Sequence, residues 1–497
     1  MMANKLSKWF FEFVKENYLS CIVFVISTIA FLLQHYFILS WDFSAYVINA
    51  RYLFYNGTYF ETIRPPLVPA LLGIFLVFGI IGEYFFILFV SVLFFISSFK
   101  LSSFLFENLD ELKVMKKEHF NLLFYLLSTS AFTLLFGLAN GSELLGLILF
   151  EFFIIALISG KNSGIFLGLA FLTRYNFLIF FPLLFFNKNY KKILINIFSF
   201  FIIIFPWFLF NYFKFHNWFA GFVDAYVNNI SSRQTIFQSI NFYDLLLPVG
   251  FLLPFFVLGL LYFFKRISIF NKNYFKNNKI YIIFFVLTIA FVYSYFTIPL
   301  RQPRYLFNLI LPVTFFSIVG IAFLINKFNK LKIPIIIALI FIFLFSFFIL
   351  IYEYKENAVY DDKFYLASED ILKLNISNCE ILSPHWVLIS YFTENVYPLG
   401  LNDINKSLES KKIVLIFYDD PTFDDLFDLN QLNYSKFYET KDYVFFSDDT
   451  FEPENCAKKY ISDETYVLDH CLIISEKFSG LGVSNFSYRI CKLINKK

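Results

Sequence analysis

Long apolar runs recur through the first 352 residues, and each is close to the length that a bilayer demands. A helix rises 1.5 Å per residue and the hydrocarbon core is about 30 Å thick, so a span needs roughly 20 apolar residues. Such runs lie near 19–40, 83–106, 120–139, 143–159, 164–174, 175–187, 193–212, 245–264, 280–298, 305–326 and 333–352. The pair at 164–187 is short and reads as two broken or tilted helices meeting near Thr173-Arg174. The chain is 58% hydrophobic and 16% charged, where soluble domains carry about a quarter charged residues. This composition excludes a soluble enzyme, and nothing in it points to nucleic acid. The expectation is a polytopic α-helical membrane protein of about eleven spans.

Charge orients the spans, because Lys and Arg gather in cytoplasmic loops. Lys5, Lys8 and Lys15 precede the first run. Lys113, Lys116 and Lys117 follow the second. Further clusters are Lys188, Lys191 and Lys192; Lys265, Arg266, Lys272, Lys276 and Lys279; and Lys327, Lys330 and Lys332. All fall on one side if the N-terminus is cytoplasmic and eleven helices cross. A span at 66–80 would break that alternation, so this stretch is expected to be a juxtamembrane or half-inserted helix. No small-residue cleavage site follows the first run, so no cleavable signal peptide is expected. On the outer side the cations are mostly arginines: Arg51, Arg64, Arg174, Arg233, Arg301 and Arg304, with Lys214 the exception. Arginine suits bidentate phosphate binding.

Two regions differ in charge. Residues 1–352 hold 26 Lys and Arg against 13 Asp and Glu, whereas residues 353–497 hold 15 against 25. The acidic tail is expected outside the cell membrane as an α/β domain. Residues 361–375 read as helix, CEILSP as strand, HWVLISYF as helix, and KKIVLIFYDD, YVFFSDD and TYVLDHCLIIS as strands. Cys379, Cys456, Cys471 and Cys491 all lie there, enough for two disulfides in any of three pairings or for free buried thiols. Sequons at Asn375 and Asn433 agree with an exterior tail.

A polar island, Trp41 to Pro69, interrupts the apolar sequence and carries Asp42, Arg51, Glu61 and Arg64. Charges beside a bilayer are costly and mark functional sites. Asp42 suits a general base or a helix cap. Arg64 precedes Pro65-Pro66, which stiffen the backbone and hold the cation in place. Glu143 opens a later run, and Glu151, deeper in it, is expected to pair with Arg174. Arg51 reads as a lipid-headgroup contact and Glu61 as supporting surface. His35, His216 and His385 are scattered and take no catalytic role.

These elements have a familiar order. An acid just after the first span, R-P-P-L-x-P some twenty residues on, then GLAFLTRYNFLIFFP, FPWFLFNYFKFHNWF and QPRYLFNLILP resemble the GT-C glycosyltransferases. The branch they resemble most holds the protein O-mannosyltransferases and lipid A aminoarabinose transferases. The resemblance covers roughly residues 15–330 and implies a GT-C-like transmembrane domain over 1–352, followed by the extracytoplasmic domain 353–497. It implies transfer of a hexosyl or pentosyl group from a polyprenyl-phosphate carrier to a protein, lipid or glycan acceptor on the outer face. Asp42 would be the catalytic acid of the first outer loop. Arg64 and Arg304 would be phosphate ligands, with Tyr305 beside the latter. Glu143 matches the family's second acid, and Arg174 lies in the same outer set. Some relatives carry paired acids in the first loop, whereas Asp42 is followed by Phe43, which leaves metal dependence open. A transporter or flippase of lipid-linked sugars is the alternative, although no internal repeat is found.

Overall fold

The computed structural model describes residues 12–186, 189–226, 241–267, 279–298, 301–357, 362–393, 395–399, 412–418 and 435–447, with Pro453 and Cys456. Lys5, Lys8, Lys188, Arg233, Lys272, Lys276, Asn433, Cys471, Cys491 and the expected strand TYVLDHCLIIS lie outside the described residues.

The helices in chain order are α1 (Tyr18–Phe37), α2 (Trp41–Phe54), α3 (Leu67–Phe75), α4 (Ile81–Asn108), α5 (Lys117–Ser128), α6 (Ala131–Phe136), α7 (Glu143–Ile158) and α8 (Gly164–Thr173). There follow α9 (Tyr190–Phe215), α10 (Ala220–Tyr226), α11 (Phe242–Leu246), α12 (Leu253–Ile267), α13 (Lys279–Thr297), α14 (Ile310–Lys327) and α15 (Lys332–Asn357). Tyr175–Phe185 and Pro303–Leu309 are 3₁₀ helices that extend α8 and precede α14.

Among the described residues, six helical segments are long and apolar enough to cross a bilayer: Tyr18–Phe37, Ile81–Asn108, Tyr190–Phe215, Lys279–Thr297, Pro303–Lys327 and Asn329–Glu356. This is a membrane protein. The other expected spans are shorter or broken. The run at 120–139 divides at Thr129-Ser130 into α5 and α6, and that at 245–264 divides ahead of α12. Helix α7 has 16 residues, of which all but four are buried, so its apolar character serves packing against neighbours rather than contact with lipid. Residues 164–187 are broken at Arg174, as their shortness implies. Helix α3 and the 3₁₀ turn Leu76–Phe78 after it are too short to cross.

Small residues let helices approach closely. A Cβ on Gly259 of α12 would sit 1.9 Å from the Phe316 carbonyl oxygen of α14, and one on Gly320 of α14 would sit 2.1 Å from that of Phe255. A Cβ on Gly164 of α8 would meet the Asn196 carbonyl oxygen of α9 at 1.8 Å.

The tail starts with α16 (Asp362–Lys373) and then builds a five-stranded sheet around α17 (Trp386–Phe392). Its strands are β1 (Ile381–Ser383), β2 (Val396–Pro398), β3 (Ile413–Phe417), β4 (Ser435–Glu439) and β5 (Tyr443–Ser447), in the order β2-β1-β3-β5-β4. β1 runs parallel to β2 and β3, with Ile381 opposite both Val396 and Ile413. β5 is antiparallel to β3 and β4. Cys379 and Cys456 form a disulfide.

Helix α2 joins the two parts. Its Phe43, Tyr46 and Val47 belong to the core of the helical bundle, while Ala45 and Ile48 belong to the core of the tail. Trp386 of α17 packs edge-on against Tyr59 at 4.5 Å and Trp41 at 6.2 Å. Arg51 donates from Nη1 to the Tyr391 carbonyl at 2.7 Å and lies over the Tyr391 ring. The reading of Arg51 as a lipid contact is therefore incomplete: its guanidinium tethers the tail helix.

Candidate active site

Ser40 caps α2: its hydroxyl accepts the Phe43 amide at 3.1 Å and donates to the Ala139 carbonyl. This corrects the alternative that Asp42 is the cap. A hydroxyl two residues earlier takes the orphan amide, and the Asp42 carboxylate is left to face away from the helix backbone.

That carboxylate meets two arginines. Arg64 Nη2 donates to Asp42 Oδ1 at 2.7 Å, and Arg304 Nη1 donates to Oδ2. Burial alone would raise the Asp42 pKa, but Arg64 and then Arg304 outweigh it and hold it below the ordinary carboxylate range. Arg64 also donates from Nε to Glu61 Oε2 at 2.7 Å. Glu61 is buried rather than surface. Its backbone is clamped by Asn49 of α2, whose Oδ1 accepts the Glu61 amide at 2.7 Å and whose Nδ2 donates to the Glu61 carbonyl at 2.9 Å. Burial pushes the Glu61 carboxyl up despite the opposing charge of Arg64.

The second acid arrives from α7. Gly141, at φ +83°, makes the turn that places Glu143 in the first turn of that helix. Glu143 pairs with Arg174, which stands in extended conformation at the break between α8 and the 3₁₀ helix after it. The expected Glu151–Arg174 pair is not formed. Glu151 is fully buried and accepts from Ser97 and Ser98 of α4. The break turns Arg174 toward the end of α7, two turns from Glu151, and two neutral hydroxyls satisfy the buried acid instead.

Asp42, Arg64, Glu143, Arg174, Arg304 and Tyr305 all line one cavity of about 510 Å3. Tyr46, Ser142, Tyr175, Phe222 and Tyr226 complete much of its wall. Tyr46 stands one helical turn after Asp42, a spacing that could have revealed it. Tyr175 is held by the Trp207 indole at 3.1 Å, a contact that joins distant segments and leaves no local signal. Arg304 is steadied by Gln302, which accepts its Nε at 2.6 Å. Arg51, Arg301, His35, His216 and His385 do not line the cavity. Among the described residues no group of three His, Cys, Asp or Glu side chains is placed to hold a metal ion.

No protein-family model matches the sequence, and no curated protein sequence matches it. Solved structures do. ArnT from Cupriavidus metallidurans bound to undecaprenyl phosphate superposes with a TM-score of 0.56 at 11% identity, over 86% of this chain and 97% of that one. The chain has the ArnT fold. The apo form of ArnT gives the same TM-score at 10% identity, over 89% of this chain and 98% of that one. ArnT is a lipid A aminoarabinose transferase of the GT-C fold, so the resemblance seen in the motifs holds at the level of architecture.

Proposed function

We propose that this chain is a membrane glycosyltransferase that moves a sugar from a polyprenyl-phosphate carrier to an acceptor at the outer face. The observation that carries this reading is the convergence of Arg64, Arg174 and Arg304 with Asp42 on one cavity. Arg64 and Arg304 share the Asp42 carboxylate, and Arg174 faces the same space, paired with Glu143. A phosphate entering the cavity offers the arginines better acceptors than the carboxylates do, because its oxygens match the guanidinium fork.

The reaction follows from that exchange. The donor phosphate takes the guanidinium groups of Arg64 and Arg304, and Asp42 is released to act as base. Asp42 accepts the proton of the acceptor hydroxyl as its oxygen forms a bond to the anomeric carbon of the sugar. The bond from that carbon to the phosphate oxygen breaks, and the electron pair leaves on the phosphate, where the arginines stabilise it. Direct attack opposite the leaving phosphate inverts the anomeric centre. Aromatic side chains Tyr46, Tyr175 and Tyr305 offer faces for the sugar ring. A neighbouring apolar cavity of about 210 Å3, lined by Phe171, Phe181, Phe200 and Phe208, shares Leu178 and Phe222 with the first and suits the start of the isoprenoid tail. The ArnT structure with undecaprenyl phosphate bound supports a carrier of this class.

Topology belongs to the same proposal: eleven crossings, a cytoplasmic N-terminus, and the domain 353–497 on the outer side. The test is a proteoliposome assay with a sugar-labelled polyprenyl phosphate and a membrane extract as acceptor source. The proposal expects label on acceptor and an equal amount of free polyprenyl phosphate. Labelled lipid that crosses the bilayer intact, without cleavage of the sugar–phosphate bond, would make the chain a transporter instead.

A further inference from the structure

A further cavity, of about 260 Å3, opens between α2, the Leu76–Ile80 turn and the start of α4. Arg51, Tyr55, Leu76, Gly79, Ile80 and Glu83 line it. It holds one cation and one anion, and these do not pair with each other. Arg51 donates to the carbonyl oxygens of Ser390 and Tyr391, which are neutral, and it meets no carboxylate among the described residues. Glu83 is 1% exposed. Its Oε2 accepts from the Tyr391 hydroxyl at 2.7 Å and is 2.9 Å from His35 Nε2. Its Oε1 has no hydrogen-bond partner among the described residues.

A buried carboxylate oxygen without a donor carries its full desolvation cost. A guanidinium held by carbonyls and an aromatic face meets no opposite formal charge. At one end of the cavity Glu83 Oε1 is therefore left without a donor, Oε2 being taken by Tyr391 and His35, and at the other Arg51 faces no anion among the described residues. Its rim is apolar: Val77, Phe78, Ile80 and Ile81 are all exposed. Ile81 begins the spanning helix α4, so the rim stands at the bilayer surface, where acyl chains cover such side chains.

We propose that this cavity binds the headgroup of a phosphoethanolamine-type phospholipid, its ammonium on Glu83 and its phosphodiester on Arg51. A primary ammonium has N–H groups to give Glu83 Oε1, whereas the trimethylammonium of a choline lipid has none. Because Arg51 and Glu83 both hold Tyr391, a bound headgroup lies against the joint between the bundle and the tail.

Native mass spectrometry of the delipidated full chain, titrated separately with phosphatidylethanolamine, phosphatidylcholine and phosphatidylglycerol, tests this. The ethanolamine lipid is expected to be retained roughly tenfold better than the choline lipid, the scale of one charge-assisted hydrogen bond. Glu83→Gln keeps an oxygen for the Tyr391 hydroxyl but removes the charge, and is expected to abolish the difference. Equal retention of the two lipids by the wild-type chain would overturn the proposal, and that comparison needs no variant. So would a preference for the glycerol lipid, or a preference for ethanolamine that survives in Glu83→Gln.

Discussion

Asp42 accepts from two guanidinium groups before any substrate arrives, and this sets how its chemistry responds to pH. Held below the ordinary carboxylate range by Arg64 and Arg304 against the pull of burial, the proposed base is ionised at neutral pH. Activity that needs the ionised form is lost as pH falls through its pKa, and the acid limb of kcat/KM reads the free enzyme. That limb is expected below the usual carboxylate value of about 3.9. Arg304→Met removes one cation, leaves burial less opposed, and moves the limb to higher pH; an unmoved limb in a pH–rate series would separate it from Asp42. Glu61 acts one step back, as a positioning residue for Arg64. Loss of its hydrogen bond in Glu61→Ala is expected to raise KM for the donor roughly tenfold, with Glu61→Gln restoring most of it because the amide oxygen still accepts from Nε. Equal KM values for wild type and Glu61→Ala would remove it from the site. The charged members of the cavity were legible in sequence because each stands beside a helix end or a proline pair. Glu61 was not, since its burial depends on Asn49 reaching across from α2, a contact without sequence periodicity.

At the scale of elements, apolar length located the long spans to within a few residues, as for α9 and α15. It does not show where a run breaks: α5 and α6 read as one continuous helix, and the piecewise start of α12 was invisible. In the tail, α16 and α17 were legible as helical stretches and β1, β3 and β5 as short, wholly buried runs. β2 ends in the half-buried Pro398 and β4 carries an irregularity between Lys436 and Tyr438, so neither reads as a continuous apolar run. The α12–α14 contact yields a stability prediction. A methyl on Gly259 or Gly320 would press into a carbonyl of the facing helix, and backbone cannot swing away as a side chain can. Gly259→Ala and Gly320→Ala are each expected to destabilise the bundle by about 1–3 kcal/mol, read as a lower thermal midpoint in detergent. Unchanged midpoints would mean that the two helices are not packed this closely.

For the whole molecule, the join between bundle and tail places the sheet domain next to the candidate cavity, since α2 carries both Asp42 and the face that meets α17. The Cys379–Cys456 disulfide closes a 77-residue separation, which is worth about 4 kcal/mol to the tail and persists only in an oxidising compartment. Cys456→Ser is expected to make the tail sensitive to limited proteolysis while the bundle stays intact; in unmodified cells Cys379 should resist thiol labelling until reduced. Ready labelling would place the tail on the reducing side and contradict the proposed orientation. The central claim is that the ArnT-like architecture serves a sugar transfer in which Asp42 is the base. Its most direct measurement is release of polyprenyl phosphate from the sugar-loaded carrier by the purified full chain, in wild type and Asp42→Asn, with carrier binding measured alongside. Asp42→Asn is expected still to bind the carrier and to lower release by at least about a hundredfold; release at the wild-type rate from a carrier-bound Asp42→Asn chain would rule Asp42 out as the base.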